Sequence, residues 1–590
     1  MYILGISCYY HDSSAALLKD GKLVSAASEE RFSRIKHDFS FPYNAIKFCL
    51  EYENIKGEDL NYIVFYEKPF LKFERIIKTI IFTYPKSCFL FNEVAKNWLK
   101  EKLWIKEKIS DFLNIKEDKI LFCKHHLSHA ASSFFCSSFN EAAILTVDGV
   151  GEWATTTLGV GIFNDNKKEI KILKEIYFPY SLGLLYSVFT AFLGFKINNG
   201  EYKVMGMSAY GAPKYKDKIY NELIRVNSDG SFKLNMRYFS YHYSTRNSFN
   251  KNFIKLFGKP RKPNQRFVLS KDDFSYHNSL ITDEEAKENK RFADISSSIQ
   301  EVTEEILIKI ANYLYKITGL KKLCIAGGVG LNCVANYKIL KNTPFDEVYI
   351  QPHAGDGGGA VGACLYVWHC LLNKKERFIM RNAYWGKEYS SFYIKNFLDK
   401  NSINYKEFKD EDELLNYITD SLLEQKIVGW FQGRFEWGPR ALGNRSILAD
   451  PRDRKMKDKI NLKIKFREPF RPFSPSVLYE HTNLIFDVED IKNHYPFRFM
   501  LYTVPVKNDI IPAATHIDKT ARPQFIEKKD NFLYYKLIEN FYKKTGIPAL
   551  LNTSFNLKGE PIVDSPFDAL NTFRKSNLDI LVIDRLVLEK

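Results

Sequence analysis

Twice in this chain a short apolar strand runs into a turn headed by a polar residue and continues at once as a second strand. The first copy is Tyr2–Cys8, a turn containing His11, then Ser13–Leu18 and Leu23–Ala27 around Asp20-Gly21, a hairpin signal. The second is Ala142–Val147, the turn Asp148-Gly149-Val150-Gly151, then Ala154–Ile162. A repeated unit of this kind points to a duplicated fold. It excludes an all-helical chain and places the two polar turns in corresponding positions.

Two strand–loop–helix units follow. Leu323–Ala326 leads into Gly327-Gly328-Val329-Gly330-Leu331-Asn332, and Val348–Gln351 leads into His353-Ala354-Gly355-Asp356-Gly357-Gly358-Gly359. Alternation of strands and helices predicts α/β layers. Asn92–Phe112 and Phe292–Thr318 have the spacing of amphipathic helices, and residues 226–290 are polar and aperiodic, as in an insertion or lid. Cysteines stop at Cys370 and a charged stretch follows, which predicts a domain boundary near residue 380. Strands are expected at Ile427–Phe431, Ser474–Leu478, Pro548–Leu551 and Ile580–Ile583, so residues 381–590 read as a second α/β domain.

Composition removes other classes. Hydrophobic residues make up 45% and charged residues 26%, which excludes bulk disorder. The longest apolar stretch, Ile76–Leu90, is cut by Lys78, Pro85 and Lys86, so no membrane association is expected. No basic region precedes an apolar run at the N-terminus, and the nine cysteines show no CxxC pair. These features fit a reducing cytoplasm and not a disulfide framework.

His125 and His129 stand four apart, so on a helix they share a face and can grip one metal ion. Asp148 and Asp356 each end an apolar strand, where a carboxylate projects into a cleft. Two imidazoles and two carboxylates suit iron(II), manganese or zinc; helix capping and turn stabilisation are the plainer roles for the same residues. The loops around Gly327, Gly328 and Gly355, with Asn332, have the glycine content that lets backbone N–H groups approach phosphates, although tight packing asks for glycine too. His11, beside Asp12, is a candidate general base.

The net charge of +16 points to anions. Residues 381–590 hold 34 basic and 29 acidic groups, while Arg434–Arg471 alone holds 12 and 5, so the excess is local, as a phosphate pocket requires. Gly438–Ser446 carries Arg440 and Arg445. Lys465-Phe466-Arg467 reads as a strand with two cations on one side, Ser554 and Asn556 repeat that spacing, and Arg522 adds a further cation.

Ten segments in order now carry a resemblance: GISCYYHDSSAAL (5–17), SEERFSR (28–34), HHLSHAASSF (125–134), TVDGVGEW (146–153), GEYKVMGMSAYG (200–211), AGGVGLNCVAN (326–336), WGPRALGNRSILADPR (437–452), REPFRPFSPSV (467–477), TARPQ (520–524) and NTSFNLKGEPIV (552–563). Together they resemble the carbamoyltransferase family of the NodU/CmcH type, which includes the tobramycin, novobiocin and cephamycin O-carbamoyltransferases. The resemblance implies a duplicated actin-like, ribonuclease H-like ATPase domain over residues 1–380, similar to the threonylcarbamoyl-transfer proteins of tRNA modification. It implies a YrdC-like domain over 381–590. That second domain would make carbamoyladenylate from carbamoyl phosphate and ATP, using Lys465, Arg467, Arg522, Ser554 and Asn556. The first would pass the carbamoyl group to a hydroxyl of a small-molecule or sugar acceptor. His11 would be the base, and His125, His129, Asp148 and Asp356 would hold a metal, iron(II) foremost, with Mg2+ as a further cation.

Two other readings stand beside this one. A fused tRNA threonylcarbamoyl-transfer enzyme would share the chemistry, but no aromatic–basic stripe marks a nucleic-acid surface. A non-catalytic actin-like nucleotide-binding module would need no second domain. A homodimer is compatible with all three.

Overall fold

A computed structural model describes residues 1–269, 282–488 and 495–590. Its described residues fall into two units, one of residues 1–29, 39–269 and 282–380, the other of 30–38, 381–488 and 495–590.

The first unit is built on two five-stranded sheets. One contains β1 (Tyr2–Ser7), β2 (Ser14–Lys19), β3 (Lys22–Ser28), β4 (Tyr62–Phe65) and β5 (Ile120–Phe122), in the order β3-β2-β1-β4-β5. The other contains β6 (Glu141–Val147), β7 (Ala154–Phe163), β8 (Lys168–Tyr177), β11 (Lys322–Ala326) and β12 (Glu347–Ile350), in the order β8-β7-β6-β11-β12. In each, the first three strands pair antiparallel and the last two run parallel to the first. Identical order and sense twice over make this a duplicated ribonuclease H-like, actin-like fold. Asp20 and Gly21, at φ 48° and 79°, close the β2–β3 hairpin as its two-residue turn.

The sheets leave the carboxyl ends of β4, β6, β11 and β12 free to carry Glu67, Asp148, Gly327 and Asp356. Open α/β sheets bind ligands at such ends. Between them lies the helix His125–Phe134, nine of whose ten residues are buried. It packs against the helix Gly359–Tyr366, where a Cβ on Gly362 would stand 1.8 Å from the Ser128 carbonyl. That glycine is what lets the two helices touch.

Several expectations change. Asn92–Phe112 is not one helix but Cys88–Trp98, a short 3-10 turn Lys102–Trp104, and Ile105–Leu113. The Trp104 indole donates to the Leu99 carbonyl at 2.8 Å, a bond that takes the chain out of helix. The second long helix starts earlier than expected and spans Asp283–Thr318, with Thr282 capping it through the Glu285 N–H. The region 226–290 contains part of the hairpin β9 (Ile224–Val226) and β10 (Phe232–Leu234) and the helix Lys251–Phe257; its residues 270–281 lie outside the described ones. The glycines after Asp356 answer to packing. Cβ atoms on Gly357 and Gly358 would meet the His353 ring and carbonyl at 2.2 and 2.0 Å, so they mark close packing.

The second unit is one mixed eight-stranded sheet. Its strands are β13 (Lys406–Glu407), β14 (Val428–Phe431), β15 (Arg445–Ala449), β16 (Ser474–Leu478), β19 (Gln524–Ile526), β20 (Ala549–Ser554), β21 (Ile580–Ile583) and β22 (Leu586–Glu589), ordered β13-β22-β21-β14-β15-β20-β16-β19. A small pair, β17 (Val504–Pro505) and β18 (Thr520–Ala521), stands apart. Side chains alternate along β14: Val428 and Trp430 join Leu414, Ile418 and Phe541 on one face, while Phe431 joins Met456, Ile460 and Leu570 on the other. Helices therefore cover both faces, which is why these strands read as unbroken apolar runs.

Residues 30–38 belong to this unit. Arg31 is 2% exposed and donates to the Glu436 and Gly438 carbonyls, and Arg34 donates to those of Pro561 and Ile562. The single division near residue 380 expected from the sequence does not describe this segment.

Among the described residues no helix is long and apolar enough to cross a membrane. The nine cysteines are all free.

Candidate active site

His125, His129, Asp148 and Asp356 meet in the first unit, each offering a ligand atom within 4.8 Å of the others. All four are buried, the two imidazoles completely. His125 Nε2 lies 3.2 Å from Asp148 Oδ2, 3.1 Å from His129 Nε2 and 3.7 Å from Asp356 Oδ1, which is itself 3.4 Å from His129 Nε2. The helical i, i+4 spacing puts both rings on one face, as expected. Asp148 is fixed by the Gly328 N–H, which donates to Oδ1 at 2.7 Å.

Neither carboxylate oxygen of Asp356 has a hydrogen-bond partner among the described residues. Its turn is nonetheless rigid: Ser7 Oγ donates to the Asp356 carbonyl and Ser14 Oγ to that of Gly357, at 2.8 and 2.7 Å. A rigid, buried carboxylate without a hydrogen bond is costly unless a cation faces it. Burial would push the His125 ring down, yet Asp148, Glu67 and Asp356 hold it up at about 10. The site thus demands positive charge at its centre, and its nitrogen and oxygen donors fit a divalent cation. His126, on the same helix, is turned away: its ring bonds Thr146 Oγ1 and the Ala154 carbonyl.

The two glycine loops meet beside this cluster. The Gly327 N–H donates to the Ala354 carbonyl, and a Cβ on Gly355 would lie 3.9 Å from Gly328 Cα. Gly327 has φ 93°, and a side chain there would strike the Val147 carbonyl at 2.2 Å. Asn332 caps the helix Cys333–Asn342 by accepting from the Ala335 N–H and exchanges hydrogen bonds with Gln300. Its amide is therefore spent on the fold.

His11 is about one-quarter exposed. Its Nδ1 donates to Asp12 Oδ2 at 2.7 Å and its Nε2 to the Asn198 carbonyl. Burial alone would lower the ring, but Asp12 and the Asn198 carbonyl raise it to about 10. With acceptors at both nitrogens, His11 is an imidazolium at neutral pH.

In the second unit, residues almost ninety apart converge. The Lys465 ammonium donates to the Ser554 carbonyl, to Ser554 Oγ at 3.3 Å, and to the Asn556 carbonyl and Oδ1 at 3.0 and 2.7 Å. Burial pushes this lysine well below its ordinary pKa. Lys465-Phe466-Arg467 does not form the expected strand. Phe466 has φ 47°, the segment is a loop, and Arg467 Nε donates to Asn461 Oδ1 at 2.7 Å. Arg522 donates from two nitrogens to Ser474 Oγ, at 3.1 and 3.0 Å.

Part of the local basic excess is structural. Arg445 is buried against the Phe431 ring and donates to the carbonyls of Gln432, Gly433 and Asn444. Arg434 donates to those of Trp385 and Gly386, and Arg452 pairs with Asp450. Glu436 holds the following loop by accepting the N–H groups of Leu442, Asn444 and Arg445 on one oxygen.

Sequence reasoning missed Glu67 and Glu152. Glu152 accepts the N–H groups of both Lys68 and His125 at 2.9 Å. Glu67 Oε2 lies 3.7 Å from His125 Nδ1. The signal was available for Glu67, which follows an apolar strand just as Asp148 does.

Comparison with known proteins decides the family. Residues 2–365 match the model of the carbamoyltransferase N-terminus and residues 419–590 that of the carbamoyltransferase C-terminus.

The chain belongs to the carbamoyltransferase family.

An uncharacterized protein of Synechocystis sp. is 43% identical over 100% of this chain and 97% of its own length. Nodulation protein NolNO of Sinorhizobium fredii is 34% identical over 99% of this chain and 79% of its own. Nodulation protein NolO of Bradyrhizobium diazoefficiens is 33% identical over 79% and 78%. Among solved structures, T. kodakarensis HypF covers 63% of this carbamoyltransferase and 48% of its own chain, at 14% identity and a TM-score of 0.29. A likeness that weak carries no argument, and the fold rests on the strand orders above. This carbamoyltransferase is an enzyme of carbamoyl transfer, with the polar strand ends of its first unit as the candidate site.

Proposed function

We propose that this carbamoyltransferase is an ATP-dependent O-carbamoyltransferase working in two steps. Water cleaves carbamoyl phosphate to carbamate and phosphate, a carbamate oxygen attacks the α-phosphorus of ATP, and pyrophosphate leaves, giving carbamoyladenylate. An acceptor hydroxyl then attacks the carbamoyl carbon, and the bond to AMP breaks. The acceptor is a sugar or another hydroxyl-bearing small molecule.

The observation that carries this reading is the convergence of Lys465, Ser554 and Asn556 in a unit separate from the His–Asp cluster. Lys465, now held by internal acceptors, turns its ammonium to the phosphates when they arrive, with Arg467 and Arg522 supplying planar donors. Ser554 Oγ donates to Asn556 Oδ1 at 2.8 Å, so the two side chains present one polar edge. In the first unit, Gly327, Gly328 and Gly355 offer backbone to the nucleotide. His125, His129, Asp148 and Asp356 would hold the divalent metal, iron(II) first among candidates. When bound, such an ion supplies Lewis acidity toward a phosphate or carbonyl oxygen. His11 takes the acceptor's proton once its bond to Asn198 opens and the ring loses its own. Asp12 keeps that ring oriented.

The steps should fail separately. Lys465→Ala should stop both AMP and pyrophosphate formation from ATP and carbamoyl phosphate. His11→Asn should leave pyrophosphate formation intact and lower AMP release to glycerol, a simple hydroxyl acceptor, by about 10²–10⁴-fold. Equal loss of pyrophosphate formation in a folded His11→Asn protein would refute the division of labour.

A further inference from the structure

We propose that Glu67 and Lys72 form a buried positioning pair that aims His125 at the metal centre. The inference rests on the metal reading above and extends it to residues outside the ligand set.

The pair is anchored by local structure. Glu67 follows β4, two residues beyond Phe65, and Lys72 lies in the first turns of the helix Pro69–Thr83. Lys72 Nζ donates to Glu67 Oε2 at 2.6 Å, and each side chain is only 4% exposed. The ammonium lies 4.6 Å over the Tyr10 ring. Burying such a pair rarely stabilises a fold more than apolar packing does, so its presence here asks for another reason.

The reason lies on the far side of Glu67. The same Oε2 that accepts from Lys72 faces His125 Nδ1 at 3.7 Å, and that nitrogen has no hydrogen bond among the described residues. Across the ring, Nε2 points at Asp148, His129 and Asp356. Meanwhile Glu152 clamps the backbone N–H groups of Lys68 and His125 together, fixing the start of one element against the other. A carboxylate facing one imidazole nitrogen keeps the proton there and leaves the lone pair of the other nitrogen for the metal. Lys72 lies against the Glu67 carboxylate and supplies the counter-charge that a carboxylate buried there needs. The ordering is Lys72, Glu67, His125, metal, with only the last contact belonging to the ligand set.

The test uses the full-length protein and Co2+ as probe, with affinity measured by competition against a chelator and the visible Co2+ spectrum recorded. Glu67→Gln should weaken Co2+ binding about 10- to 100-fold and alter the spectrum. Because glutamine leaves a buried ammonium unpaired, Glu67→Gln/Lys72→Met is made as well; it keeps the interior neutral and should show the same loss while its Tm stays near that of wild type. A purely structural pair would move Tm and leave Co2+ affinity alone. Affinity within twofold of wild type in the folded double variant, while His125→Ala/His129→Ala has lost Co2+, overturns the positioning role and spares the metal site. If the double-histidine variant still binds Co2+ at wild-type affinity, the metal site itself is wrong and this inference goes with it.

Discussion

Asp12→Asn is the sharpest probe of His11. Among the described partners of the ring, Asp12 is the one carboxylate in hydrogen-bond contact, and its charge is the largest influence raising the ring. Burial acts in the opposite direction, so without Asp12 the ring should fall from about 10 toward its ordinary value of 6.5. At pH 8 a group titrating at about 10 is neutral in about 1% of molecules, whereas one at about 6.5 is neutral in nearly all. If His11 must be neutral to accept a proton, the wild-type transfer rate climbs with pH toward about 10, and Asp12→Asn should move that limb down by about two pH units or more. The weaker base returns part of the gain, so the net increase at neutral pH is about tenfold. The assay is AMP release from carbamoyladenylate formed in situ, with glycerol as acceptor, between about pH 6 and 10.5. Coincident limbs in the two proteins, or an undiminished limb in His11→Asn, would remove His11 from the transfer step.

Other outcomes follow from packing and burial. Gly362→Ala drives a Cβ into the Ser128 carbonyl and should push aside the helix that carries both histidines; a cost of about 1–3 kcal/mol in urea denaturation and loss of bound Co2+ are expected. Retained Co2+ would mean the helix contact does not set the site. Asp564 is pushed by burial from 3.8 to about 6, so the folded state holds its proton more tightly than the unfolded state and stability falls as pH rises through that window. Asp564→Asn should therefore gain about 2–3 kcal/mol over wild type at pH 8 and nothing near pH 3.5, read from urea midpoints.

Much of the first unit was legible because its signals are local. Apolar strands running into polar turns marked β1, β6, β11 and β12, and helical spacing put His125 and His129 on one face. What escaped depends on contacts between distant residues. Nothing near Asn332 in sequence shows that Gln300 takes its amide, and nothing near Arg445 shows that carbonyls of other loops consume its donors. The Lys465-Phe466-Arg467 segment misled through its spacing: alternate residues share a side only if the chain is extended, and a positive φ at Phe466 sends Arg467 to Asn461. The break after Trp98 was hidden in the same way, since the apolar spacing of Val94, Trp98, Ile105 and Ile109 continues a helical stripe across a chain that is not helical throughout.

The nine residues 30–38 have a consequence for the order of synthesis. They leave the ribosome near the start of translation, yet the carbonyls that satisfy the Arg31 and Arg34 guanidiniums, at Glu436, Gly438, Pro561 and Ile562, arrive only after most of the chain has been made. The second unit cannot be completed by its own contiguous stretch of chain. Folding of the second unit therefore includes a long-range closure between an early and a late segment, the slow kind of contact for which loop entropy must be met before any interaction rewards it. An early translational stop would release chains whose Arg31 has no site to fill, and a fragment beginning at residue 381 would lack a piece of its own interior.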